Sequence, residues 1–264
     1  MARAKRHYLP GYIWHLTHRC HKREFLLGFA KDRQRYLHWL YQARKRYGLT
    51  ILNYTITSNH IHLLVADEGG RDVIPHSMQL IAGRTGQEYN QRKDRKGAFW
   101  EDRYHAKAIE NDEHLARCMV CIDTNMVRAG VVNHPSLWQY GGYNEIQEPR
   151  RKNVLINYKR LQELLGFENY DQLQHAHKGW IEDYLNAGKQ TREDEWTESI
   201  AAGSKSFIER VKEILGGRAI GRDVQEGEVG YQLRESAASY KPFFRPEKVD
   251  IGPKNAYLWD ISRD

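Results

Sequence analysis

The residues best suited to chemistry stand in one short stretch, Asn59-His-Ile-His-Leu-Leu-Val. On an extended strand, side chains at i and i+2 leave from the same face. His60 and His62 then present two imidazoles together, while Ile61, Leu63 and Val65 turn the other way into a core. Paired imidazoles a few ångströms apart suit a divalent cation. The same pattern also suits two ordinary histidines on a half-exposed strand, so the pair alone leaves both readings open.

Charge narrows the choice of partner. The 264-residue chain carries a formal net charge of +7, and residues 1–50 hold 12 basic against 2 acidic side chains. Residues 151–264 hold 18 against 19. A basic field focused on one end of a chain is what a polyphosphate requires. Tyr8, Tyr12, Trp14, Tyr36, Trp39, Tyr41 and Tyr47 are interleaved with those charges. Aromatic faces beside cations hold unpaired bases, although some of these rings must serve the core.

Several classes are excluded or disfavoured. No run of eighteen apolar residues exists, which argues against a transmembrane helix. The basic N-terminus runs into Pro10 and Gly11 rather than an apolar stretch, unlike a signal peptide. Cys20, Cys118 and Cys121 form no even framework, so a reducing cytoplasm is the expected compartment.

The elements that must position the histidines follow from periodicity. Tyr12 to His18 alternates as a first strand, and residues 31–47 place Tyr36, Leu37, Leu40 and Tyr41 at helical spacing up to Gly48. Residues 49–57 and 60–66 read as strands joined at Ser58-Asn59, a hairpin. A helix is predicted from about 74 to 91, then a basic turn at 92–97 and a strand within 99–109. A further helix starts at Asn111-Asp112 and runs to about Ala129, stopped by Gly130. The order β-α-β-β-α-β-α predicts an α+β, ferredoxin-like antiparallel sheet with flanking helices.

After Tyr143 the character changes. Residues 147–153 form a polar linker, followed by helical stretches at 158–165, 170–187, 193–202 and 205–215. From Gly216 onward Gly, Pro and scattered aromatics suggest an irregular tail that packs back. The expected division is a domain over residues 1–146 and a C-terminal helical accessory domain over 147–264. Two helices around Gly203-Ser204, within 197–215, fit either a helix-turn-helix with Ser204 as cap or two packed helices with no DNA role.

Ser58-Asn-His-Ile-His-Leu-Leu-Val resembles the histidine–hydrophobic–histidine signature of HUH endonucleases. Its surroundings resemble the REP-associated tyrosine transposases. Tyr12-Ile-Trp-His-Leu-Thr-His-Arg is similar to that family's first strand, and Phe99-Trp-Glu-Asp-Arg-Tyr-His to the stretch before its last helix. Cys121-Ile-Asp-Thr-Asn-Met-Val-Arg-Ala-Gly-Val-Val is similar to its tyrosine-bearing helix. The resemblance covers about residues 5–145.

It implies an enzyme that cleaves and transfers single-stranded, hairpin-forming DNA through a 5′-phosphotyrosine, with no ATP because the covalent link keeps the bond energy. It implies a metal site of His60, His62 and Asn125, occupied by Mg²⁺ or Mn²⁺. The family's nucleophilic tyrosine falls at Cys121, a departure that predicts impaired cleavage and leaves a catalytically retired hairpin-binding protein as the alternative. Tyr104 and Tyr89 lack the family's spacing to Asn125 and read as structural. Arg19, Lys22 and Arg23 are candidate backbone contacts. Arg103 and His105, expected on one strand face, and Arg128, a turn beyond Asn125, are candidate phosphate contacts or solvated surface. Arg44-Lys-Arg at a helix C-terminus is explained by the macrodipole alone. A monomer or a homodimer fits the resemblance. The rival outside this class, a small-molecule H-x-H metallohydrolase, requires a further carboxylate or histidine ligand set.

Overall fold

In a computed structural model of the chain, residues 9–111, 113–188, 199–227 and 230–235 are described. The first half runs β1 (Ile13–Arg19), α1 (Ala30–Tyr47), β2 (Thr50–Ile56), β3 (His60–Ala66), α2 (Val73–Arg92) and β4 (His105–Ile109). These four strands lie in the order β2-β3-β1-β4, each pair antiparallel. This is the ferredoxin-like α+β plan that the periodicity predicts.

The hairpin between β2 and β3 turns at Ser58-Asn59, closed by the Thr57 N–H donating to His60 O (3.0 Å). α1 ends where Gly48 adopts a left-handed conformation (φ 73°) and donates to Arg44 O. Helices α1 and α2 cover the apolar face: Tyr36 is fully buried and meets Trp100 edge-on, and Trp100 stacks on His18 at 4.0 Å between centroids. A bidentate Arg35–Glu88 pair and an Arg92–Asp32 pair join the two helices.

The opposite face of the sheet is polar. Register places Arg19 opposite His60, Thr17 opposite His62 and His105, and His15 opposite Lys107. α3 (Glu113–Asp123) packs over this face near β2, with Thr55 Oγ1 donating to Ile122 O (3.0 Å). The helix predicted to continue to Ala129 is interrupted at Thr124 (ψ 2°), after which α4 spans only Asn125–Arg128. Thr124 turns its hydroxyl onto Val120 O (2.7 Å), a back-bond known to bend helices.

A buried network fixes α3. Asp123 accepts from Asn53 Nδ2 on β2 (3.1 Å) and bonds His177 Nε2 (2.8 Å) on α7 (Tyr170–Asn186). Between α4 and α7 lie α5 (Tyr143–Gln147) and α6 (Tyr158–Leu164). Gly142 passes so close to β2 that a Cβ would meet Asn53 Oδ1 at 2.1 Å, and its N–H donates to Tyr54 O. Glu145 is buried, accepting from the Leu155 and Ile156 N–H groups (2.7 and 2.8 Å) and from the Tyr54 hydroxyl (3.0 Å).

Beyond residue 188 the outcome differs from a purely helical expectation. β5 (Ala201–Gly203) pairs parallel to β4, and β6 (Arg222–Gly227) and β7 (Gly230–Glu235) extend the sheet to seven strands, order β2-β3-β1-β4-β5-β7-β6. The residues expected as the end of a helix at 193–202 are therefore partly strand; residues 189–198 lie outside the described residues. Gly203-Ser204 joins a strand to one helix, α8 (Lys205–Leu215), rather than two helices. Ser204 does cap α8, accepting from the Phe207 N–H (3.2 Å). The tail expected to be irregular from Gly216 forms a 3-10 turn (Gly216–Ala219) and then the β6–β7 hairpin as far as Glu235; residues 236–264 lie outside the described residues.

Candidate metal and nucleic-acid site

The polar face carries a chain of three imidazoles. His62, on β3, bonds through Nδ1 to His15 Nε2 on β1 (2.9 Å), and the rings stack with centroids 5.1 Å apart. The other nitrogen of His62, Nε2, lies 3.2 Å from Asn125 Nδ2. His60 stands edge-on to His62, centroids 5.0 Å apart. Its Nδ1 faces Asn59 Oδ1 (2.7 Å) and Thr57 Oγ1 (3.0 Å). Each imidazole of the pair is therefore oriented through one nitrogen by a neighbour, as second-shell partners do at metal sites.

The break at Thr124 brings Asn125 to this place. With α3 ending at Asp123, the Asn125 amide reaches His62 while Arg128 folds back along the helix. The Arg128 guanidinium donates to Cys121 O (2.8 Å) and Thr124 Oγ1 (2.5 Å) and lies 3.4 Å from Cys121 Sγ. Cys121, half-buried, is thus one turn from the amide that meets His62.

Burial keeps His62, His15 and His105 in their lone-pair form. His62 titrates well below the usual imidazole range, first because it is desolvated and then because His60, His15, Arg128 and Arg19 oppose a further positive charge. His15 is pushed down to about 3 by burial, with Lys107 and His105 adding to the effect. His105 is lowered by burial and then by Lys107. Unprotonated imidazole is the state that ligates a cation.

The donor set fits a divalent cation. A separation of 3.2 Å between His62 Nε2 and the amide of Asn125 matches the ~3 Å ligand-to-ligand edge of an octahedron with bonds of about 2.1 Å. The two amide atoms of Asn125 exchange on a half-turn, so Oδ1 can take the position that Nδ2 occupies. Among the described residues no three His, Cys, Asp or Glu side chains converge as a metal cluster. Two imidazoles and an amide would leave the remaining positions of such an ion to water or phosphate oxygens, as hard cations accept.

The other candidates divide. Arg19 pairs opposite His60 on the same face. Lys22 and Arg23 are exposed just beyond β1, both with left-handed backbone (φ 51° and 60°). His105 lies on the site's face, opposite Thr17. Arg103 does not share a strand face with it: β4 begins at His105, and residues 101–103 form an exposed bend. Tyr104 is buried on the far side, edge-on to His18, and Tyr89 packs against Phe99. His15 and Lys107 escaped sequence reasoning; the alternation of His15, Thr17 and Arg19 along β1 held the only signal. No helix of the described residues is long and apolar enough to cross a membrane.

Residues 9–119 match the family model described as transposase IS200 like, a stretch that contains His60 and His62 and stops two residues before Cys121. Among solved structures, a REP-associated tyrosine transposase bound to a REP hairpin is similar at 20% identity, over 55% of this chain and 84% of that one, with a TM-score of 0.47. A putative transposase from Deinococcus radiodurans R1 is similar at 16% identity, over 44% of this chain and 91% of that one, with a TM-score of 0.32. No curated relative matches the chain.

Proposed function

On the premise that residues 9–119 belong with the IS200-like transposases, we propose that this chain binds hairpin-forming single-stranded DNA at the polar face of β1, β3 and β4. The observation that carries the reading is the convergence of His62 with the Asn125 amide at 3.2 Å, beside His60 and one turn from Cys121. His60, His62 and Asn125 hold a divalent cation, Mg²⁺ or Mn²⁺, with the nitrogen ligands favouring Mn²⁺. When bound, such an ion polarises a phosphoryl oxygen and neutralises developing charge.

The chain's own residues do the rest. Arg19, Lys22, Arg23, Arg103 and His105 supply contacts to phosphates along the strand, and such contacts fix register rather than read sequence. Arg128 places a guanidinium beside position 121, where a scissile phosphate would need countercharge. Asn59 and His15 orient the two imidazoles. The basic first fifty residues draw the polyanion in, so affinity falls with added salt.

Cys121 occupies the position of the family's nucleophilic tyrosine. Its thiol ends several ångströms short of a phenol hydroxyl, and a misplacement of ~1 Å can cost about a hundredfold in rate. Covalent strand cleavage is therefore severely impaired, and hairpin binding persists without it. This Cys121 departure favours a second reading, a retired transposase that holds DNA hairpins in a regulatory or structural role. The division into a DNA-processing domain over 1–146 and an accessory unit over 147–264 belongs to the same proposal, as does a monomeric or dimeric state in the cytoplasm.

The test incubates labelled DNA hairpins and Mn²⁺ with the parent chain and with Cys121→Tyr. A denaturation-resistant protein–DNA adduct only in the tyrosine variant supports the family reaction and the place of the nucleophile. An adduct with the parent chain overturns the impairment. Retained binding with no adduct in either leaves the retired binder as the reading, and no binding by either contradicts both.

A further inference from the structure

Between β1 and α1 the chain holds two phenylalanines out in water. Phe25 is 72% exposed and Phe29 63% exposed, while Leu26 and Leu27 between them are buried. The exposure does not come from slack. The Leu27 N–H donates to Ser58 O (2.9 Å), the Gly28 N–H to Phe25 O (3.0 Å), and Asn59 Nδ2 to Arg23 O (3.2 Å). From beneath, the buried Arg33 donates to Leu27 O (2.8 Å) and Gly28 O (3.0 Å). The segment is thus fastened to the very turn, Thr57–His60, that orients His60.

We propose that Phe25 and Phe29 form a platform on which unpaired bases of a DNA single strand stack as that strand enters the His60–His62 site. The inference rests on the transposase reading of that site. Charge complementarity selects this occupant over an apolar one: Lys22, Arg23 and Lys31 are exposed beside the rings, and Lys93 Nζ lies 5.0 Å from the Phe29 centroid. Of the nearby acids, Glu24 meets Arg95 (3.6 Å) and Asp32 is paired with Arg92, while Asp94 is exposed. Every base offers a π-face, so exposed rings among cations bind a strand without reading its sequence. A rigid loop adds to this, because rings already held in place lose little freedom on binding.

The platform predicts a defect confined to single-stranded DNA. Affinity is measured for two DNA hairpins, one blunt and one with roughly ten-nucleotide single-stranded flanks containing 2-aminopurine. Phe25→Ala/Phe29→Ala is expected to weaken binding of the flanked hairpin at least about tenfold, since stacking contributes about 5- to 150-fold per base. The blunt hairpin should bind unchanged. Phe25→Trp/Phe29→Trp should restore affinity and quench 2-aminopurine as the parent does. Equal loss on both hairpins, or no loss on either, overturns the platform. So does a parent dimer that the alanine pair splits while DNA affinity stays constant, since the rings would then join two copies of this chain. If the parent binds neither hairpin, the transposase reading fails and the platform with it; if the parent and the alanine pair bind both equally, only the platform fails.

Discussion

Replacing His177 with leucine should unlatch the helix that carries position 121. His177 and Asp123 both have fully buried side chains, joined at 2.8 Å, and they sit 54 residues apart on α7 and α3. Gln147 Nε2 faces His177 Nδ1 (3.0 Å), so the ring proton lies on Nε2 and is donated to the carboxylate. Leucine fills much the same volume but leaves the Asp123 carboxylate to the Asn53 amide. Taking a hydrogen-bond donor from a buried carboxylate costs more than the ~1–3 kcal/mol of an unsatisfied neutral group, a large share of the ~5–15 kcal/mol that holds a domain together. Urea denaturation of His177→Leu measures the loss. The same substitution in an Asp123→Asn background should cost only about 1–3 kcal/mol, because an unpartnered amide is cheaper to bury than a carboxylate. Equal losses in both backgrounds, or a loss below about 1 kcal/mol in the first, would refute the argument. Because Asp123 lies two residues from both Cys121 and Asn125, the variant should also weaken Mn²⁺ binding in protein that remains folded.

Two further outcomes follow from particular side chains. Asn59→Ala removes the acceptor that faces His60 Nδ1 at 2.7 Å, while Thr57 Oγ1 stays in place at 3.0 Å; Mn²⁺ titration should show affinity lowered by about tenfold, the usual effect of losing such a partner. Cys20 is pushed up to about 12, chiefly by burial; at pH 9 its thiolate fraction is then ~0.1% against about half for an ordinary thiol, so alkylation should proceed roughly hundreds of times more slowly than on a free cysteine. Reactivity should rise tenfold with each pH unit up to about 12, and mass spectrometry of timed samples checks both the rate and its slope.

What the sequence disclosed was what depends on local periodicity. The alternation through Asn59-His-Ile-His-Leu-Leu-Val places both imidazoles on one face, and Gly48 marks the end of α1. What it hid depends on pairing across the fold. His15 reaches His62 only because β1 lies beside β3 in one particular register, and no spacing along the chain reports that neighbour. The bond between Asp123 and His177 is equally invisible until α7 returns over α3. The interruption at Thr124 was masked by residues that all tolerate a helix, although the threonine hydroxyl that bends it was in plain view. At the far end β5 is three small residues long, so Ala201-Ala-Gly reads as helix or turn and becomes a strand only when β4 offers an edge. Arg103 was assigned to a strand that starts two residues later.

The proposed cation is one ion held by His60, His62 and Asn125 together. Electron spin-echo envelope modulation of Mn²⁺ bound to the full chain counts its nitrogen ligands. Two imidazole nitrogens are expected in the parent chain, one in His60→Ala or His62→Ala, and an unchanged pair but weaker binding in Asn125→Ala. A bound ion showing no imidazole modulation, or one indifferent to both histidine variants, would contradict it.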